Sequence, residues 1–200
     1  DTASCDPDIL RAHLGDKYGT QVYRYANGID QDPVLPPDPT RKGYGNSITL
    51  AQDVSDFDTA CQVLLALSET VGARLREAGV RCNSVTVELK DWRFTSQSHQ
   101  CVLKSPTDST SVPYDTACRL LKEFWDKTPV RLIGLPTSQI QEDPFEQMSL
   151  FDDERQKKMR AMEKAVDRIR GSYGIDSVPR ARFLKENSPT PHDVGRKKPL

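Results

Sequence analysis

What most constrains the fold of this chain is a hydrophobic period that switches between two residues and 3.6 across consecutive segments from about residue 45 to 140. "NSITL" alternates, with Ile48 and Leu50 on one face against Ser47 and Thr49 on the other, as a half-buried strand does. Phe57, Ala60, Leu64, Leu67, Val71, Leu75 and Ala78 then recur at spacings of three and four, which predicts a helix. Ser55 with Asp58 predicts its cap, and Gly79 its end. "NSVTVELKDWRF" returns to alternation through Val85, Val87 and Leu89, and "SHQCVLKS" follows across the turn-forming "TSQS", which predicts a hairpin. "VPYDTACRLLKEFWDKT" starts a second helix, with Pro113 near its first position and Tyr114, Ala117, Leu121, Phe124 and Trp125 as its stripe. "PVRLIGL" closes the series as a strand.

This order predicts an α+β domain of split βαββαβ form, a four-stranded sheet covered on one face by two helices. The uncovered face would carry Ser47, Thr49, Thr86, Glu88, Lys90 and Arg131, and would meet water or a polar partner. Folds of this shape serve many functions, so function must come from particular residues.

Around this domain, at residues 42–141, the composition changes. Residues 1–30 begin with helix signals after Pro7, through Ile9, Leu10 and Leu14, then again in "DKYGTQVYRYANG" up to Gly28. Two short helices alone are marginal, and the chain opens on Asp1, so another segment is expected to precede them. Residues 31–41 are proline-rich and read as a linker. Residues 142–152 form a short polar segment interrupted by Met148, Leu150 and Phe151. Residues 153–174 predict an amphipathic helix with Met159, Met162, Val166 and Ile169 on one stripe, docked on the domain or formed with a partner. Its basic residues, Lys157, Lys158, Arg160, Lys164, Arg168 and Arg170, read better as a solvated face than as a DNA contact. Residues 175–200 are expected to be disordered.

With 36% hydrophobic and 28% charged residues, the 200-residue chain can bury one modest core. Its net charge of −1 gives no bulk signal for nucleic acid, so any such binding requires a local patch. No apolar run is long enough to span a bilayer and no leader pattern opens the chain, so a cytoplasmic protein without a membrane partner is expected. Five cysteines (Cys5, Cys61, Cys82, Cys101 and Cys118) lie far apart with no histidine at ligand spacing, and read as free thiols in a reducing compartment. The acidic pairs Asp6 with Asp8, Asp56 with Asp58, and Asp152 with Asp153 sit at helix starts or in a tail, where capping and solvation account for them. No P-loop, dinucleotide fingerprint or nucleophile elbow occurs.

"GDKYGTQVYRYANGID", "RKGYGNSITLAQDV", "LSETVGARLREAGVRCNSVTVELK", "PVRLIGLPTSQI" and "EQMSLFD", in this order and spacing, resemble the carboxy-terminal part of a Y-family translesion DNA polymerase of the DNA polymerase IV group. The resemblance runs from the chain start to about Gly174. It implies that residues 1–30 are the end of a thumb and residues 42–141 a little finger, which grips primer-template DNA by its backbone. The family's two magnesium ions are held by palm carboxylates, which this chain does not supply, so it is expected to be catalytically inactive with no cofactor of its own. DNA contacts are expected from Arg41, Lys42, Gly43, Gly45, Ser47 and Thr49, and from Arg93, Thr95, Ser96, Ser98, His99, Gln100 and Lys104. Relatives often carry arginine near the place of His99, and a histidine there is only partly charged near neutral pH.

"QMSLF", from Gln147 through Met148, Ser149 and Leu150 to Phe151, resembles the pentapeptide by which bacterial polymerases and repair proteins dock on the sliding clamp. An extended peptide can offer Gln147 to a polar pocket while Leu150 and Phe151 fill an apolar one. Two readings follow: the DNA-gripping and clamp-tethering part of an error-prone polymerase used in repair or damage tolerance, or a free-standing clamp-binding adaptor with no polymerase activity.

Overall fold

The chain was analysed as a computed structural model, which describes residues 2–34, 42–142 and 154–184. Helix α1 spans Pro7–Ala26, and Asp6 caps it by accepting the backbone N–H of Asp8 at 2.9 Å. Gly15, at φ +79°, breaks it into the two helical pieces that the sequence predicts. A Cβ at Gly19 would lie 2.6 Å from the backbone of Arg11, so the two pieces approach as closely as a missing side chain permits. Residues 1–39 and 40–200 form separate compact units.

The second unit is built on strands β1 (Gly43–Val54), β2 (Arg81–Asp91), β3 (Ser96–Thr107) and β4 (Val130–Gln141), with helices α2 (Phe57–Ala78) and α3 (Ser111–Phe124) between them. The sheet order is β1-β4-β2-β3, every neighbour antiparallel. Two split βαβ units interleave: β4 lies between β1 and β2, and β2 between β3 and β4. Val85, Val87 and Leu89 of β2 and Ile133 and Leu135 of β4 are buried with Leu64, Leu67, Leu120 and Leu121 of the helices. Removing each such side chain from water contributes about 1.5 to 3 kcal/mol. The predicted α+β sheet with two helices on one face is the observed arrangement.

Details differ from the sequence reading. The cap of α2 is Asp56, which accepts the backbone N–H and the hydroxyl of Thr59, both at 2.8 Å, in place of Ser55. The hairpin turn lies at residues 92–95 rather than in "TSQS", because Asp91 Oδ1 accepts the backbone N–H groups of both Arg93 and Thr95 at 2.8 Å and closes it earlier. Cys61 and Cys82 are buried while Cys5, Cys101 and Cys118 are half-buried; all five are free. Burial pushes the Cys82 thiol up to about 11, as expected of an inert structural thiol.

Helix α4 (Glu154–Tyr173) is tied to α2 by ion pairs rather than through the predicted stripe. Of the predicted stripe, Val166 is half-buried while Met159, Met162 and Ile169 are exposed, whereas Glu163 is buried and Arg160, Asp167 and Arg170 are half-buried in ion pairs. Arg76 of α2 grips Asp167 with two nitrogens, at 2.5 and 3.1 Å, and reaches Glu163 at 3.4 Å. Arg160 binds Asp108, and Arg170 and Arg180 converge on Glu69. Within residues 175–200, which the sequence predicts as disordered, residues 175–184 carry 3-10 turns at Ile175–Ser177 and Ala181–Leu184, and Phe183 enters the main core, while residues 185–200 lie outside the described residues. A single aromatic anchor and a salt bridge order a segment whose average composition is polar.

Candidate nucleic-acid interface

The sheet face opposite the helices is crossed by three polar rungs. Thr49, Leu132, Lys90 and Ser96 form one; Ser47, Gly134, Glu88 and Ser98 form the next; Gly45 with Pro136 and Thr86 with Gln100 continue the register. These positions alternate with Ile48, Leu50, Val85, Val87, Leu89, Ile133 and Leu135, which pack the core. The hydroxyls and amide of Ser47, Thr49, Thr86, Ser96, Ser98 and Gln100 can donate to phosphate oxygens without reading bases.

Charge on this face is balanced. Lys90 is the cation of the three rungs and Glu88 the anion, whose Oε2 would lie 3.2 Å from a Cβ placed on Gly134. Cations stand instead toward the edges. Exposed Lys42 precedes β1, Arg93 is in the β2–β3 turn, and Arg74 of α2 reaches the β1 edge, where its Nη1 donates to the Gly45 carbonyl at 3.2 Å. Lys104 lies where β3 loses register with β2, between Val102 and Thr107. A surface of this kind suits a polyanion whose backbone runs along the edges while neutral donors meet it in the middle.

Several predicted residues fall elsewhere. His99 pairs with Val87, on the helix side of β3, and its ring stacks on Phe124 at 5.5 Å between centroids and 16° between planes. Two-residue alternation takes it off the face that Ser98 and Gln100 share. Thr95 is engaged in the turn through its backbone. Arg131 binds Asp53, Nε to Oδ1 at 3.0 Å, and has the parity of the core residues Ile133 and Leu135 rather than that of Leu132 and Gly134 on the open face. Gly43 and Gly45 serve the close approach of β1 to β4: a Cβ on Gly43 would lie 2.3 Å from the Thr137 carbonyl oxygen, and one on Gly45 2.9 Å from Pro136 Cα. Arg41, Gln147, Met148, Ser149, Leu150 and Phe151 lie outside the described residues. Sequence reasoning missed Arg74, which sits on a helix with nothing local to mark it, and Trp92 and Phe94, which it placed in the strand "NSVTVELKDWRF" and which the structure places in the turn after β2.

Among the described residues no three His, Cys, Asp or Glu side chains converge as a metal site, and Asp56 is committed to its helix cap. No described helix is long and apolar enough to cross a membrane.

Residues 41–150 match the model of the impB/mucB/samB family C-terminal domain. The chain is 32% identical over 184 residues to DNA polymerase IV of Clostridium acetobutylicum, covering 92% of this chain and 46% of that protein. It is 37% identical over 183 residues to DNA polymerase IV 2 of Bacillus subtilis, covering 88% and 43%. A solved Y-family DNA polymerase chimera aligns with a TM-score of 0.46 and 22% identity over 72% of this chain and 41% of that one. The chain spans about half the length of the curated relatives it matches. With more than half of its residues inside the family match, the chain belongs to the impB/mucB/samB family and carries its C-terminal domain.

Proposed function

We propose that this chain is the DNA-gripping and sliding-clamp-binding region of an error-prone translesion DNA polymerase used in damage tolerance, with catalysis supplied by magnesium-binding carboxylates outside it. The observation that carries the reading is the uncovered sheet face, whose rungs of Ser, Thr and Gln are edged by Lys42, Arg74 and Arg93 on a domain of a polymerase family. Such a face grips primer-template DNA through phosphates, so binding is indifferent to sequence and falls steeply with salt. With only a few cations at the edges, the isolated region binds weakly and serves to hold the duplex for a catalytic core.

The clamp is engaged by Gln147 to Phe151, in the segment between β4 and α4. Burial of Leu150 and Phe151 is worth about 1.5 to 3 kcal/mol each, consistent with binding of about micromolar strength after ordering costs. DNA binding is tested by fluorescence anisotropy of a labelled primer-template at increasing salt. Affinity that is equal across sequences and falls with salt supports the reading, and no affinity at low salt removes it. Clamp binding is tested by calorimetric titration into a bacterial sliding clamp beside a Gln147→Ala, Leu150→Ala, Phe151→Ala variant. Equal heats from the two proteins would refute the tether.

A further inference from the structure

The tip of the β2–β3 hairpin exposes two aromatic rings that the sheet's phosphate-binding role does not use. Trp92 is 50% exposed and Phe94 71%. Between them in sequence, the Arg93 guanidinium lies over the Trp92 ring, 4.7 Å from its centroid. The tip is held in shape. One carboxylate oxygen of Asp91 binds the N–H groups of Arg93 and Thr95, while the Asp91 backbone donates to the Thr95 carbonyl and accepts from the Phe94 N–H, both at 3.1 Å. This holds Phe94 at φ +65°, a left-handed backbone that a bulky residue rarely adopts. Strain of this kind persists where the surroundings over-determine it, and it concentrates at ligand clamps.

An apolar pair in a solvent-facing turn costs solubility and adds nothing to the core, while a cation over an indole flanked by a second ring is the arrangement that binds nucleic acid without base pairs. Every base has a π-face to stack on a ring, and its phosphate is met by the guanidinium. The tip also adjoins the Lys90–Ser96 rung, so it continues the proposed DNA surface beyond the end of the sheet.

We propose that Trp92, Arg93 and Phe94 form a stacking platform for unpaired bases of single-stranded DNA, next to the duplex-gripping face. The proposal rests on the DNA-binding reading for its placement, and the rigid turn presents the rings without an ordering cost at binding.

The two tryptophans allow a direct test. Trp125 is buried with its indole N–H on the Thr128 carbonyl at 2.9 Å, so Trp92 is the indole that solvent and ligands reach. An eight-nucleotide oligothymidylate titrated into the 200-residue chain is expected to quench tryptophan emission in a saturable way. A blunt duplex is expected to bind without that quench. Trp92→Phe should abolish the quench while the urea midpoint stays unchanged, and a Trp92→Ala, Phe94→Ala double variant should bind the oligonucleotide about five- to a hundredfold more weakly, with blunt-duplex affinity retained. Absence of quenching, or equal single-strand affinity in the double variant, overturns the platform. Duplex binding together with no quench by the oligonucleotide defeats the platform alone. Quenching by the oligonucleotide with no duplex affinity defeats the sheet-face reading and leaves the platform standing.

Discussion

Glu163 of α4 accepts the backbone N–H of Thr110 through Oε1 at 2.9 Å, so a carboxylate from a distant helix caps the start of α3, where Thr110 makes no side-chain cap of its own. The same carboxylate faces Arg76 through Oε2, and Arg76 in turn donates to the Asp108 carbonyl and the Thr110 hydroxyl. One buried guanidinium therefore ties α2, the β3–α3 connection and α4 together. A negative charge at a helix N-terminus is favourable in itself, and the pairing offsets the cost of burying it.

Glu163→Ala leaves the Thr110 N–H and part of Arg76 without partners in a buried setting. Breaking one member of a buried pair costs about 3 to 5 kcal/mol. Glu163→Gln keeps an acceptor for Thr110 and is expected to cost clearly less. Urea unfolding of both variants checks this, and equal losses would mean that charge matters and the cap does not.

Phe183 tests whether residues 175–184 belong to the folded unit. Its ring is buried in the main cluster, and Phe→Ala in such a place costs about 3 to 5 kcal/mol. Phe183→Ala should lower the thermal midpoint, whereas Leu184→Ala, on an exposed neighbour, should leave it unchanged. Indistinguishable midpoints would mean that residues 175–184 contribute nothing to the core.

The contrast between the sheet and α4 shows what the sequence could convey. Ile48, Leu50, Val85, Val87 and Leu89 announced their strands because a two-residue period is a local signal, and Ser47, Thr49, Ser98 and Gln100 followed onto the open face. His99 could have been excluded from that face by the same rule. The docking side of α4 could not be read, because its louder local signal was the Met159–Ile169 stripe. The residues that turn inward are Arg160, Glu163, Asp167 and Arg170, and their partners Asp108, Arg76 and Glu69 lie far away in the chain. Periodicity reports the amphipathic face of a helix and carries no information about long-range ion pairs.

The glycines of β1 and β4 should answer alanine differently. Gly→Ala in a strand normally stabilises by about 0.5 to 1 kcal/mol. At Gly43 and Gly45 the new methyl meets backbone of β4, which cannot swing aside, so overpacking costs of about 1 to 3 kcal/mol should reverse the sign. At Gly134 the contacts are looser, 3.2 Å to the end of the Glu88 side chain and 3.3 Å to the Cβ atoms of Glu88 and Ser47, so the change should cost less than at Gly43 or Gly45. Stability ranking by denaturant midpoint, with Gly134→Ala above Gly45→Ala, checks the register.

The α2 cap sets an acid limit. Hydrogen bonds from the Thr59 backbone and hydroxyl hold the Asp56 carboxyl below the usual carboxylate range. Because its folded value is lowered, its stabilising contribution is complete above the ordinary value near 4 and is lost as pH falls through the lowered one. Asp56→Ala should therefore be less stable than the parent chain at neutral pH, with the gap closing as the medium is acidified. A gap that stays constant to strong acid would show that the cap acts without its charge.

Glu88 gives the most direct check on how DNA meets the sheet. Its carboxylate lies over Gly134, in the middle rung of a face whose opposing charge is Lys90, so a duplex laid on that face brings phosphates toward a like charge. At a separation of about 8 Å in water this repulsion is about 0.5 kcal/mol, and more where water is displaced. Glu88→Gln keeps the size and polarity of the side chain and is expected to tighten primer-template binding about two- to fivefold at low salt, with the gain shrinking as ionic strength rises. The folded state should be little affected, since Glu88 is exposed. Unchanged affinity would mean that DNA does not lie over the sheet, and that the edges carrying Lys42, Arg74 and Arg93 bind it from another side.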